Sequence, residues 1–403
     1  MSSLLPVADA LERVLAAARP DRPVFELPLI DALGYVLAEP VLATFDVPLD
    51  DNSAMDGYAL RSEDAARPLP ISQRIAAGST GRPLAAGSAA RIFTGAPVPA
   101  GADAVVMQEN CSERDGMVEV SGEVRPGQNI RPRGQDIATG EQVLPGGRRL
   151  RPQDLGLLAS VGLARVRVYQ PLRVAVLSTG DELVEPGSTG LLSGQLYNSN
   201  RYTLAGLLRG LGLEFIDMGI IADDPEATAA ALQQAANDCD CVITSGGVSV
   251  GEEDHVKAQV QRLGKLDLWK LAIKPGKPLA FGSIGDTPFI GLPGNPTSVF
   301  VTFCLVARPF LLKLQGAGET ELHPLQLTAR ADFTVARAGT RQDYLRVSLV
   351  VQEGQVVARA FPNQSSGVLS SVSHANALAV VPVGATIAPG DPVQVIPLDA
   401  LFW

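Results

Sequence analysis

Between Leu172 and Gly316 short apolar runs alternate with amphipathic stretches, and no other feature constrains the fold as strongly. RVAVLST, EFIDMGII, DCVITS, PLAFGSI and PFIGL read as buried strands. Between them, a helix is expected from Asn198 to Leu211 with Asn198 or Ser199 as its N-cap. PEATAAALQQAAN reads as a helix with proline at its first position, DHVKAQVQRL as another, and a last helix starts near Pro296. Strands alternating with helices of about ten to fifteen residues call for a doubly wound α/β domain, a parallel sheet covered on both faces. Ligands of such sheets bind beyond the carboxyl ends of the strands.

The polar clusters fall at those ends. STGDEL (Ser178–Leu183) follows the first strand, Asp223-Asp224-Pro225 the second, SGGVSVGEED (Ser245–Asp254) the third and GLPGNP (Gly291–Pro296) the last. Taken singly, TGDEL is a strand-to-loop turn and Asp-Asp-Pro a helix start, but four such loops from one sheet edge should meet. SGGVSVG is neither a Walker loop nor a dinucleotide fingerprint. Its glycines Gly246 and Gly247 still let backbone N–H groups face an anion, and Ser249 adds a hydroxyl donor. Glu182, Asp223 and Asp254 put carboxylates at the same edge. Carboxylates beside an anion cradle call for a hard divalent cation, Mg²⁺, held with substrate oxygens. Trp269-Lys270-Leu-Ala-Ile-Lys274-Pro-Gly-Lys277 adds three lysines, an anion-binding strip in an otherwise acidic chain.

That acidity is overall: 33 basic against 43 acidic residues give a net charge of −10, without the footprint of a nucleic-acid binder. Aromatics are only 5%, so the cores must be aliphatic. Four cysteines make no disulfide framework, and Cys239-Asp240-Cys241 lacks zinc-knuckle spacing. The leading segment carries Asp9 and Glu12 and no basic run before an apolar one, so no targeting peptide is expected. TSVFVTFCLVARPFLLKL is broken by Arg308-Pro309 and reads as too short to span a bilayer. The expectation is a cytoplasmic protein without a membrane segment. The three histidines, His255, His323 and His374, are scattered and read as surface or packing residues.

Outside the α/β segment, Val7, Ala10, Leu11, Val14 and Leu15 share one helical face, and a second helical signal runs from Arg151 to Val161. Between them the texture is short strands with Gly and Pro (ISQRIAAGS, ARIFTGAPVP, AVVMQE, GMVEVSG), a β domain inserted into a helical one. From about Leu322, QLTARADFTV, YLRVSLVV, VVARAF and DPVQVIP suggest a separate β-barrel or sandwich. The expected division is a helical linker domain (1–45 and 137–170), an inserted β domain (46–136), the α/β domain (171–318) and a C-terminal β-barrel (322–403). Asp56 in NSAMDGYA, Thr94 in RIFTGAPVP and Asp136 in RPRGQD sit in the insert, and sequence physics alone does not tie them to the sheet edge.

NSAMDGYA, RIFTGAPVP, STGDEL, SGGVSVGEED, KLAIKPGKP and GLPGNP, in this order, resemble the molybdopterin molybdenumtransferases, MoeA-like proteins that include the E domain of gephyrin. The resemblance spans about residues 5 to 400. It implies the four-domain layout and a homodimer whose active site lies between the α/β domain of one subunit and the β insert of the other. It also implies insertion of molybdate into adenylylated molybdopterin with Mg²⁺-dependent release of AMP, and transfer partners in cofactor biosynthesis. On this resemblance Asp56, Asp136, Glu182, Asp223 and Asp254 are catalytic, the last three also holding Mg²⁺. Thr94, Gly246, Gly247, Ser249, Lys270, Lys274, Lys277, Pro293, Pro296, Arg346 and Ser366 bind substrate, with Ser365 the alternative to Ser366. Two other readings share parts of the pattern. One is an adenylyltransferase, usually a small single-domain chain, and the other a peptide-binding scaffold, which would not need Asp223 and Asp254.

Overall fold

The structure, a computed structural model, describes residues 4–188, 190–247 and 255–402. Its contacts divide the chain into two compact units. One comprises Met1–Glu39, Gly146–Arg151 and Val166–Trp403, the other Pro40–Pro145 and Pro152–Arg165. The segments expected to form a helical linker are thus shared between the units. Their helices among the described residues are α1 (Val7–Ala17) and Pro152–Ser160; the rest is short strand and turn, where Pro and Gly recur.

The larger unit is built on a six-stranded sheet: β1 (Arg173–Thr179), β2 (Glu214–Ile221), β3 (Cys241–Ser245), β4 (Gly264–Lys270), β5 (Pro278–Ile284) and β6 (Thr287–Leu292), in spatial order β2-β1-β3-β6-β5-β4. The first four in that order are parallel, as the βα alternation predicts. The pairings of β6 with β5 and of β5 with β4 are antiparallel, so β5 is reversed, which corrects the expectation of a wholly parallel sheet. Only Gly285 and Asp286 join β5 to β6, and a parallel pair would need a crossover of a dozen residues or more. In β1, Val174 and Val176 enter one core while Ala175 and Leu177 enter another on the opposite face. Helix α2 (Ser199–Gly210) packs Leu204, Leu207 and Leu208 into the first. Helices α3 (Pro225–Asp238) and α4 (His255–Leu263) pack Leu232, Ala235, Val256 and Val260 into the second.

The segment read as broken at Arg308-Pro309 is instead one continuous helix, α5, running Pro296–Leu314. It is long and apolar enough to cross a membrane by length and composition, yet 89% of that stretch is buried inside the protein, so it is a core helix. A π turn over Phe303–Ala307, with the Arg308 N–H donating to the Phe303 carbonyl, accommodates the proline that lacks its own donor. Arg308 is itself buried. Its guanidinium donates to the carbonyls of Leu401, Leu322 (3.0 Å) and Glu321 (3.2 Å), and burial holds its pKa down at about 10.

Leu327–Asp332, Gln342–Gln352, Gln355–Ala360, Ala377–Val381 and Pro392–Pro397 close into a five-stranded barrel. Ile273–Lys274 adds to it in parallel beside Gln342 and Asp343, tying the lysine strip to the barrel. In the smaller unit a mixed six-stranded sheet runs in the order Ala104–Met107, Gly57–Leu60, Ala89–Ile92, Leu69–Ile75, Met117–Val120, Cys111–Arg114. Tyr58 and Leu60 face one small core, Ala59 and Ile92 the other. All four cysteines are free.

Candidate active site

The carboxyl ends of β1, β2, β3 and β6 open into one cleft of about 940 Å³. Thr179, Gly180 and Glu182 line it after β1, Asp223 after β2, Ser245 to Gly247 at the end of β3, and Pro293 to Pro296 after β6. The described residues of the four loops that the strand pattern singled out do meet.

Local conformation explains the residue types. Gly180 lies at φ +138°, and a Cβ there would stand 2.5 Å from Glu182 Oε2, so the glycine lets the Glu182 carboxylate fold back over the chain. Gly247 lies at φ +66°, where a Cβ would meet Val256 Cγ2 at 2.6 Å and Thr179 Oγ1 at 3.0 Å. Asp223 and Asp224 divide the two readings of their motif. Asp224 is the N-cap of α3, accepting from the N–H groups of Glu226 (3.0 Å) and Ala227 (2.8 Å), while Asp223 faces the cleft. His255, read from sequence as a packing or surface residue, is a wall residue as well. Its Nε2 lies 3.7 Å from Asp223 Oδ1, a proximity its sequence position could not reveal.

Lys274 and Lys277 line the opposite wall, and Lys274 Nζ pairs with Asp343 Oδ2 at 2.7 Å. Lys270 is exposed but is not among the lining residues. The barrel contributes Arg341 and Gln364 to Gly367. Arg341, which sequence reasoning missed, is the arginine of this wall; its guanidinium donates to the Ile273 carbonyl at 3.3 Å. Arg346, expected to bind substrate, is wholly buried beneath the loop. It donates to Ser371 Oγ (3.1 Å), the Tyr344 carbonyl (3.1 Å) and the Ser365 carbonyl (3.4 Å), and burial lowers its pKa. In RQDYLRV, Arg341 sits in the bend just before the barrel strand that starts at Gln342, whereas Arg346 lies within that strand and is buried. Ser365 and Ser366 both reach the wall; Ser366 Oγ accepts from Asn295 Nδ2 at 3.0 Å.

The smaller unit carries the remaining carboxylates. Asp56 Oδ1 accepts from the Thr94 N–H (2.8 Å) and Oγ1 (2.7 Å), and these bonds hold its pKa below the usual carboxylate range. Gly57 follows because any Cβ there would overlap the Val106 carbonyl across the strand pair. Asp136 is exposed, and its carboxylate takes no hydrogen bond from any described residue. Ser249 and Asp254 lie outside the described residues. Among the described residues no three His, Cys, Asp or Glu side chains form a metal-holding group.

Residues 5–162 match the MoeA N-terminal region (domain I and II), 175–313 a probable molybdopterin binding domain, and 328–398 the MoeA C-terminal region (domain IV). The molybdopterin molybdenumtransferase of Haemophilus influenzae is 41% identical over 384 residues, covering 93% of this chain and 94% of that protein. That of Nostoc is 39% identical over 91% of this chain and 87% of the relative. The chain belongs to the molybdopterin molybdenumtransferase family. Among solved structures, the molybdopterin biosynthesis MoeA protein of Pyrococcus horikoshii superposes with a TM-score of 0.85 at 31% identity, covering 98% of this chain and all of that one. All four strand-end loops and both cleft lysines fall within the family's probable molybdopterin binding domain, whereas Arg341 and Gln364 to Gly367 come from the C-terminal region.

Proposed function

We propose that this transferase of molybdenum cofactor biosynthesis binds adenylylated molybdopterin and molybdate in the cleft, inserts molybdenum into the dithiolene and releases AMP in a Mg²⁺-dependent reaction. The observation that carries this reading is the convergence in one cavity of the Ser245 to Gly247 turn, two lysines, an arginine and two carboxylates. The turn and the cations of Lys274, Lys277 and Arg341 suit the phosphates and the tetrahedral molybdate dianion. Water adds across the pyrophosphate bond, its oxygen and protons shared between the two phosphates as AMP departs. At the dithiolene, two thiol sulfurs bond to molybdenum, and their protons leave with one molybdate oxygen as water.

Glu182 and Asp223 offer hard oxygen donors from two loops, which fits Mg²⁺, an ion usually held by one or two carboxylates plus phosphate oxygens. Asp254 would complete the set. When bound, the ion neutralises charge on the phosphoryl oxygens. The carboxylates hold the ion and orient the water, and the lysines hold the departing phosphate.

The protein is further read as a cytoplasmic homodimer, with Asp56, Thr94 and Asp136 of each insert serving the cleft of the other subunit, and with transfer partners that take up the cofactor. In support, these three side chains are exposed. The decisive test supplies adenylylated molybdopterin, molybdate and Mg²⁺ and follows AMP by chromatography. Metal-dependent release is expected. Inertness with this mixture, together with adenylylated product from ATP and molybdopterin, would move the protein to the adenylyltransferases.

A further inference from the structure

The Asp136 carboxylate has no side-chain partner of its own among the described residues, so its position is inherited from its backbone. That backbone is gripped on both sides by one residue that the sequence did not single out. Asp46 Oδ1 accepts from the Thr139 N–H (2.7 Å) and from Thr139 Oγ1 (2.7 Å), and Asp46 Oδ2 accepts from Arg133 Nε. Arg133 and Thr139 stand three residues before and three after Asp136. The Asp46 side chain is 15% exposed, while that of Arg133 is 61% exposed, so the carboxylate lies inside the loop and the guanidinium closes over it. Around this clamp Arg133 N–H donates to Asp51 Oδ1 (2.8 Å), Gly134 N–H to the Pro48 carbonyl (2.9 Å) and Asp136 N–H to the Val47 carbonyl (2.9 Å). Gly134, at φ +68°, leaves the Asp46 side chain just outside 3.5 Å of where a Cβ would sit. The bonds from Thr139 and Arg133 hold the Asp46 pKa down at about 2, so the clamp stays ionised throughout the neutral range.

The geometry points to Asp46 as a positioning residue for the reaction, one that fixes the loop presenting Asp136 without itself touching substrate. The inference rests on the reading of Asp136 as an active-site residue. A carboxylate displaced by about 1 Å loses on the order of a hundredfold in rate, which sets the expected scale.

The test is a double-mutant cycle on the full-length protein, read as single-turnover AMP release from adenylylated molybdopterin with molybdate and Mg²⁺. Asp46→Ala should lower turnover roughly a hundredfold, and Asp46→Asn, whose amide oxygen still accepts from Thr139, should recover most of it. In an Asp136→Asn background, adding Asp46→Ala should change nothing further, because the loop then has nothing left to position. Should Asp46→Ala not fold, Thr139→Val removes one of the three donors and enters the same cycle. Wild-type turnover in the Asp46 or Thr139 variants, or losses that simply add in the double variant, would overturn the positioning role while leaving Asp136 in place. Full activity of Asp136→Asn would overturn both, and so separates a failure of the underlying reading from a failure of the clamp.

Discussion

In the smaller unit Asp46, Asp56 and Asp64 each accept a backbone N–H and a second donor: Thr139, Thr94 and Gly87 supply the N–H groups. In the cleft, the Glu182 and Asp223 carboxylates accept no hydrogen bond from any described residue, and His255 Nε2 stands 3.7 Å from Asp223 Oδ1. The Asp46, Asp56 and Asp64 carboxylates are bound into their loops before any ligand arrives, whereas Asp136 of the same unit is open. In the cleft, Glu182 folds back over Gly180, and both carboxylates are left open. A carboxylate with its acceptor sites filled can orient a loop, whereas one with empty sites can take a cation or a water.

The largest effect should come from the open carboxylates. Asp223→Ala should abolish Mg²⁺-dependent AMP release, by roughly a thousandfold or more, with the melting profile kept. AMP release at the wild-type rate would erase the contrast. Next comes the division of labour between subunits. Asp56→Ala in one chain and Asp254→Ala in the other should each be inactive alone. A mixed dimer then has one site with both defects and one with neither, so the isolated mixed dimer should recover about half of wild-type activity, and an unsorted co-expression, with about half of its dimers mixed, about a quarter. Exchanged subunits that stay inactive would place the insert's carboxylate with its own chain's cleft.

Glycine at the cleft turn should be nearly as demanding. Gly247→Ala puts a methyl group into Val256 and Thr179 at a backbone angle that disfavours alanine. It should raise the KM for the adenylylated substrate and cost about 1–3 kcal/mol of stability in urea denaturation. Gly122, with φ +93° and nothing within 4 Å of its Cβ position, should show the backbone strain alone. Arg308→Met deprives the Leu401, Leu322 and Glu321 carbonyls of this donor and should lower the unfolding free energy by about 3 kcal/mol or more, with little change in KM.

The smallest effect is electrostatic. Asp46 and Asp56 have folded pKa values below their unfolded ones, so both contribute stability above the ordinary carboxylate range and lose it as pH falls through their lowered folded values. Carboxyl-carbon NMR should place the Asp46 midpoint at about 2. Thr94→Val should move the Asp56 midpoint upward and leave that of Asp46 unchanged.

The strand-end loops were legible because βα alternation fixes which ends of the strands share an edge, so Glu182, Asp223 and Gly247 could be grouped before any contact was known. Helix capping was legible too, at Asn198 and Pro225. What could not be read depended on side-chain direction or on distant segments. Arg341 and Arg346 share one short motif, and only the point at which the barrel strand begins leaves the first in a bend at the cleft and the second buried within the strand. His255 sits at a helix start and gains meaning only because Asp223, thirty-two residues earlier, ends beside it. Asp46 opens the insert, and its partners Arg133 and Thr139 arrive only where the chain returns about ninety residues later. The break expected at Pro309 failed because a single π turn is enough to carry a helix past a proline.

Helix α5 also bears on how the chain is made. Val299, Phe300, Phe303 and Phe310 lie in one core with Leu378, Ile396 and Leu401, residues that leave the ribosome about 60 to 90 positions after the helix does. At roughly 5–20 residues per second the most apolar segment of the protein spends several seconds with part of its covering still unmade. During that interval the helix exposes apolar surface of the kind that makes partly made chains prone to aggregate, and the chain from Leu378 to Leu401 covers it last.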